Sequence, residues 1–312
     1  MRLCESNMQK QSIIVTAGEK YNDIDALACA VAYKKLLELK ELPAEVIFPG
    51  PLNESVTKTI RGWNFTLGKT IEGEPNDYNY VLVDVSEPGH FANFVLLDNV
   101  VEVYDHRRGF EDYWKGRLGD KARIELVGAC ATLIWEEFKK ADLQNKIDVV
   151  SANLLYTAIL SNTLNLQAQI TSSRDSSAID ELLRHTNLPK DWQQIYFDEV
   201  SQGIMFDPIE SMTNDTKVLD IHGEQYIITQ LELWDSQKFI KQNFDTIIKV
   251  LNERKVANTF LTSPSISQGF NYLVAVNGSL KDKLKSAIEA DWNGNVGKTK
   301  KPWLRKEIMP LL

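Results

Sequence analysis

The stretch "EKYNDIDALACAVAY", residues 19–33, places Glu19, Asp23 and Asp25 directly after the apolar run Ser12–Thr16. Two further apolar runs end alike: "YVLVD" closes on Asp84, and "VEVYD" closes on Asp105 with His106 following. Carboxylates gathered in one place repel one another unless a cation sits among them. Oxygen donors with one imidazole suit Mn²⁺ or Mg²⁺ better than a thiolate-seeking metal. Two such ions a few ångströms apart lower the pKa of a bridging water and clamp a phosphoryl oxygen. Each residue alone has a plainer reading. An Asp ahead of an Ala-rich helix, as Asp25 is, reads first as an N-cap. Asp84 can serve the turn "SEPG", and a lone His is more often a hydrogen-bonded structural residue than a ligand. Arrival of all of them at one sheet edge is what makes a site.

The elements that must position these groups follow from periodicity. From Ser12 to about Leu188, short apolar runs alternate with helical stretches. The first run is followed by Ala26, Ala30, Tyr33 and Leu37 on one helical face. Strands are predicted at Glu45–Phe48, "YVLVDVS" and "VVEVYDH"; continuous apolar strands between helices predict a mostly parallel sheet covered on both faces. In such a sheet ligands bind outside the carboxyl ends of the strands, where these acidic groups fall. Helices are predicted for "ACATLIWEEFKKA", "DVVSANLLYTAILSNTL" and "DSSAIDELLRHT". Residues 189–214 are mixed, with Asp207-Pro208 breaking any helix. A smaller α/β unit follows: a hairpin turning at His222-Gly223, an amphipathic helix capped by Asp235 or Ser236, strands "TFLTS" and "YLVAVNG", a helix "LKDKLKSAIEA" and a loop-like tail. The expected organisation is an N-terminal α/β domain at 1–190, a connection at 191–214 and a C-terminal domain at 215–312.

Composition bounds the function class. Among 312 residues, 43% are hydrophobic and 25% charged, as in an ordinary soluble protein. A net charge of −8 argues against a general nucleic-acid or anionic-membrane binder, yet leaves room for a local basic pocket. Cys4, Cys29 and Cys130 are odd in number and widely spaced, so neither a disulfide framework nor a Cys-rich zinc site is indicated. With no apolar run of membrane length and no apolar core in "MRLCESNMQKQ", a cytoplasmic protein is expected.

These motifs resemble the DHH phosphoesterase superfamily, in particular the branch of manganese-dependent (family II) inorganic pyrophosphatases, yeast-type exopolyphosphatases and prune proteins. The pyrophosphatases' opening His-x-x-x-Asp-x-Asp stands here as Glu19-x-x-x-Asp23-x-Asp25, and exopolyphosphatase and prune members carry Asn at the first position. Asp84 matches the second motif, Asp105-His106-Arg107 the name-giving one in its prune-like form, and "TAILSNTLNL" the fourth, with Asn162 where an Asp is expected. "TSSRDSSAIDEL" follows as in the family, "NDTKVLDIHG" resembles the opening of its C-terminal domain, and "LRKEIMP" its closing motif. The likeness runs from about Ile13 to Pro310, in the family's order.

The resemblance implies a metal-dependent hydrolase of phosphoanhydrides, with its active site in the cleft between the two domains. Two Mn²⁺ ions, or Mg²⁺ or Co²⁺, would be held by Glu19, Asp23, Asp25, Asp84, His106 and Asn162. Lys217, Arg305 and Lys306 would grip the phosphates of a small phosphorylated substrate, pyrophosphate or short polyphosphate. Asn162 removes a charge from the second ion's ligand set and Glu19 adds one elsewhere, so a weakened second site is expected. Arg107 either binds a terminal phosphate or pairs with one of the acidic groups. Two other functions stand beside this one: a phosphodiesterase on short oligonucleotides or cyclic dinucleotides, although the Gly-Gly-Gly-His type motif of those relatives is lacking, and a non-catalytic sensor of a phosphorylated ligand.

Overall fold

The computed structural model describes residues 12–20 and 22–312, so the readings of Cys4 and of "MRLCESNMQKQ" lie outside the described residues. The chain divides into two compact units. The first takes in the chain up to Asn53, Gly62–Ile159 and Ser172–Asn187; the second takes in Glu54–Arg61, Leu160–Thr171 and Leu188–Leu312.

In the first unit, strands β1 (Ser12–Thr16), β2 (Ala44–Val46), β3 (Tyr78–Val83), β4 (Val100–Asp105) and β5 (Ala122–Ile124) form one sheet in the order 2-1-3-4-5. Every pairing is parallel, as the unbroken apolar runs predicted. Tyr80, Val81, Leu82 and Val83 are all fully buried, which only a sheet covered on both faces allows. The Ile24–Leu39 helix buries nearly its whole first half, because Ala26, Ala28, Ala30 and Ala32 let it lie close to its neighbours. One of these neighbours is the Cys130–Lys140 helix. Trp114, on a Glu111–Leu118 helix the periodicity did not reveal, fills the core with Ile14, Leu82 and Val103 and donates its indole N–H to the Ser86 carbonyl at 2.6 Å. Order 2-1-3-4-5 puts the topological switch between β1 and β3, so a crevice opens at their carboxyl ends.

In the second unit, β6 (Thr216–Ile221), β7 (Glu224–Gln230), β8 (Asn258–Ser265), β9 (Phe270–Ala275), β10 (Asp291–Asn293) and β11 (Val296–Lys298) form a sheet in the order 10-11-9-8-7-6. Only β7 and β8 pair in parallel. The predicted hairpin turns at His222 and Gly223, whose φ angles of 54° and 83° are those a two-residue turn with the strands' own twist requires. Phe260, Leu273, Leu280, Leu284 and Ile308 form its core. Two expectations need correction. The stretch at 189–214 is helical, as Trp192–Phe206 and Pro208–Asn214, broken at Asp207, whose side chain caps the second helix through Glu210 N–H at 2.9 Å. The tail is ordered as the β10–β11 hairpin, turning on Gly294 at φ 61°, and the Arg305–Ile308 helical turn. Among the described residues, no helix is long and apolar enough to cross a membrane.

Candidate metal centre

Asp25, Asp84 and His106 come together at the carboxyl edge of the first sheet, each offering a ligand atom within 4.8 Å of the other two. Each follows a different strand, so the convergence expected from sequence is a fact of the fold for these three.

Asp25 is not the helix cap. Asp23 is, its Oδ1 accepting the N–H groups of Asp25 and Ala26 at 3.0 Å each. One turn of backbone then carries Asp25 inward, where it is fully buried. Its carboxylate accepts the N–H groups of Cys130 at 2.8 Å and Ala131 at 2.9 Å, which begin the Cys130–Lys140 helix and lack intrahelical partners. Burial and the Asp23 charge push its pKa up to about 7, against the pull of those N–H groups.

Asp84 follows β3 with φ at 51°, a left-handed backbone that Asp tolerates better than most residues. The kink stops the strand and leaves the carboxylate buried. Its Oδ1 makes no hydrogen bond, and burial raises its pKa well above the ordinary carboxylate value despite the opposing charge of Arg107. His106 follows β4. Its Nδ1 lies 2.9 Å from the Gly128 carbonyl, so Nδ1 carries the proton and donates. Nε2 then presents a lone pair, 3.5 Å from Asp84 Oδ1 and 3.9 Å from Asp25 Oδ2.

This donor set fits a divalent cation. Two buried carboxylates and an imidazole nitrogen oriented by a carbonyl are a hard O, O, N set of the kind Mn²⁺ and Mg²⁺ take. Ligand atoms each about 2.1 Å from one ion stand about 3–4 Å apart, the range in which His106 Nε2 stands from Asp84 Oδ1 and Asp25 Oδ2, at 3.5 and 3.9 Å. A cation would satisfy Asp84 Oδ1 and offset both the burial and the like charges that raise the two carboxyl pKa values.

Asp105 does another job. It is buried and accepts Ser86 Oγ–H at 2.6 Å, His106 N–H at 2.8 Å, Arg107 N–H at 3.2 Å and Arg107 Nε–H at 3.0 Å, which shapes the loop behind His106. Arg107 pairs with the acidic groups, the second of its two expected roles: Nη2 stands 3.2 Å from Asp84 Oδ1 and donates to the Asp84 carbonyl. Its side chain is 46% exposed; partial desolvation of the guanidinium works against its charge, but Asp84 and Asp105 outweigh this and raise its pKa.

The remaining candidates have surroundings of their own. Glu19 has an exposed side chain, and its backbone N–H is held by the His90 carbonyl at 3.0 Å. Asn162 is the half-buried last residue of the Val149–Asn162 helix. In the second unit, Lys217 is exposed on β6, opposite Ile228, and Lys306 is half-buried. Arg305 is buried, its guanidinium donating to the carbonyls of Asp215 at 2.6 Å and Ile228 at 3.1 Å and to Asp215 Oδ1 at 2.8 Å.

Sequence reasoning passed over one residue that organises the centre. Asp175, fully buried, accepts the N–H groups of Gly128 and Ala129, the Thr132 hydroxyl, and the N–H and hydroxyl of Ser172. It thus pins the loop whose carbonyl orients His106 and whose next residues hold Asp25. Its capping box with Ser172 was readable as Ser-x-x-Asp; its hold on a loop 47 residues away was not.

Fold and cluster together define a two-unit α/β protein with a candidate divalent-cation centre at the carboxyl edge of a parallel sheet. No protein-family model matches the chain. Among curated proteins it is similar to one assigned as a manganese-dependent inorganic pyrophosphatase in Lactobacillus johnsonii, 23% identical over 76% of this chain and 75% of the relative. A similarly assigned protein of Lactobacillus helveticus is 22% identical over 98% of both chains. The fold is shared with a protein assigned as a family II inorganic pyrophosphatase of Methanococcus jannaschii, at 18% identity and a TM-score of 0.68 over 96% of this chain and 98% of that one. An exopolyphosphatase-related protein of Bacteroides fragilis matches at 13% identity and a TM-score of 0.51, over 97% and 91%. The chain is thus similar over most of its length to curated manganese-dependent inorganic pyrophosphatases and shares its fold with a protein assigned as a family II inorganic pyrophosphatase.

Proposed function

We propose that the chain is a metal-dependent hydrolase of phosphoanhydride bonds, of the pyrophosphatase or exopolyphosphatase type, acting on a small phosphorylated substrate. The observation that carries this is the Asp25–Asp84–His106 cluster, with His106 locked as an Nε2 ligand and Asp84 Oδ1 buried without a hydrogen bond. The curated relatives' names supply the substrate class and the metal, Mn²⁺. A divalent ion held there supplies charge neutralisation and a water acidic enough to be a nucleophile near neutral pH.

The protein's own groups do the rest. Asp25 is aimed and held by the helix N-terminus, His106 by the Gly128 carbonyl. Asp23 adds negative field beside the cluster, raising the pKa of Asp25 and Asp84. Glu19, Asp23 and Asn162 are proposed as supplementary ligands on the family resemblance, and Lys217, Arg305 and Lys306 as phosphate ligands. Arg suits bidentate recognition of phosphate, and Lys serves as a point charge.

Phosphate release from pyrophosphate, tripolyphosphate and long polyphosphate, each with Mn²⁺, Mg²⁺ or Co²⁺, tests the reading. Turnover of at least one substrate with Mn²⁺ is expected. No release under any metal would leave a non-catalytic binder of phosphorylated ligands. Cleavage of a dinucleotide without cleavage of tripolyphosphate would make the chain a phosphodiesterase.

A further inference from the structure

Asp84 Oδ1 lies 3.5 Å from His106 Nε2 of the ligand cluster and 3.2 Å from Arg107 Nη2. A carboxylate shared in this fashion is the bridge of a two-cation centre, whose cations stand about 3.5–4 Å apart. Here the place beside the bridge is filled by a guanidinium.

That guanidinium is held at three acceptors, although its side chain is 46% exposed. Nε donates to Asp105 Oδ1 at 3.0 Å, while Nη2 donates to the Asp84 carbonyl and pairs with its carboxylate. The left-handed backbone at Asp84 belongs to the stretch that offers Arg107 this carbonyl. Asp105, the other carboxylate within reach of Arg107, has both oxygens committed to Ser86, His106 and Arg107. Asp23 spends one oxygen on the helix cap. To seat a second ion on Asp84, Arg107 would have to leave three acceptors, or remain as a like charge at contact distance.

We propose that Arg107 occupies the position of a second cation, so that the centre binds one divalent ion per chain with the guanidinium as its fixed counterpart. The proposal rests on the metal-centre reading above and replaces the expected second, weakened ion with a permanent side-chain charge. Arg107 is in this sense a positioning residue: it sets the orientation of Asp84 and the ion count, and needs no contact with substrate to do so.

The test uses the full-length protein, loaded with Mn²⁺ and dialysed to equilibrium. Bound manganese per chain is measured, and low-temperature electron paramagnetic resonance distinguishes isolated from spin-coupled ions. The native chain is expected to hold one ion with an uncoupled spectrum. Arg107→His, which removes the permanent charge and adds a donor, is expected to hold two with a coupled spectrum; Arg107→Gln serves if the first variant does not fold. Two coupled ions in the native chain would overturn the proposal and leave the metal centre standing. So would a single ion in the folded variants. No bound ion in the native chain would remove the metal centre itself and this inference with it.

Discussion

Replacing Asp175 tests whether the centre is held from behind. Its Oδ2 accepts Gly128 N–H at 2.9 Å and both the N–H and hydroxyl of Ser172, at 2.8 and 2.7 Å. Its Oδ1 accepts Ala129 N–H at 3.4 Å and the Thr132 hydroxyl at 2.6 Å. An Asn has one acceptor oxygen. With that oxygen at the Oδ2 position, the Thr132 hydroxyl can turn round and accept, so Asp175→Asn orphans only the long Ala129 bond and weakens the others by removing the charge. That sums to about 2 kcal/mol. Asp175→Ala leaves three backbone N–H groups without this acceptor and should cost about 4 kcal/mol. Urea unfolding followed by circular dichroism measures both, with Asp180→Asn on the exposed face of the same helix as control. The released loop also loosens the Gly128 carbonyl on His106 and the helix start on Asp25, so Mn²⁺ affinity should fall about 10- to 100-fold in Asp175→Asn. Losses below about 1 kcal/mol in both variants, with native Mn²⁺ affinity, would refute the argument.

Two more outcomes are expected. Asn271, fully buried, donates to Thr262 Oγ1 and to the Trp303 carbonyl and accepts Trp303 N–H, tying down the chain two residues before Arg305. Asn271→Ala should cost about 2–3 kcal/mol and raise KM for pyrophosphate more than it lowers kcat; an unchanged KM in a destabilised variant would remove Arg305 from substrate binding. Arg123 and Arg174 share Glu125 and Glu136; burial works against these carboxylates, but the arginine hydrogen bonds prevail and lower both from the ordinary value of 4.5. Their contribution is therefore present above that value and lost as pH falls through the lower folded ones. Arg174→Ala should trail the native protein by about 1 kcal/mol at pH 7 in urea and match it once acid has protonated both glutamates, and a gap that persists there would refute the ionic origin.

The parallel sheet was legible because burial on both faces forces unbroken apolar strands, as in "YVLV" at residues 80–83. The strand-end acids were legible for the same reason, since polar residues resume where the sheet ends. What stayed hidden was either short or remote. Strands β5, β10 and β11 have three residues each, too few for a period to show. The division of labour between Asp23 and Asp25 is invisible in "NDIDAL", since both are good caps and only the tertiary structure says which one turns inward. Arg107 was readable as a cation beside carboxylates, but its choice between ligand and pairing partner depends on where the Asp84 carbonyl points.

One physical problem runs through the centre: Asp25, Asp84 and Asp105 are buried within one sheet edge, and a protein that must also fold without its ion cannot leave them uncompensated. Each has a different remedy. Asp25 takes the N-terminus of a helix, Asp105 takes three donors and a guanidinium, and Asp84 Oδ1 is left with an ion pair to Arg107 and no hydrogen bond. The least compensated of the three is therefore the one turned toward His106 Nε2. That ordering is what a binding site for a cation needs, because an oxygen already hydrogen-bonded by protein donors has little to gain from a metal, and one without a hydrogen bond has the most.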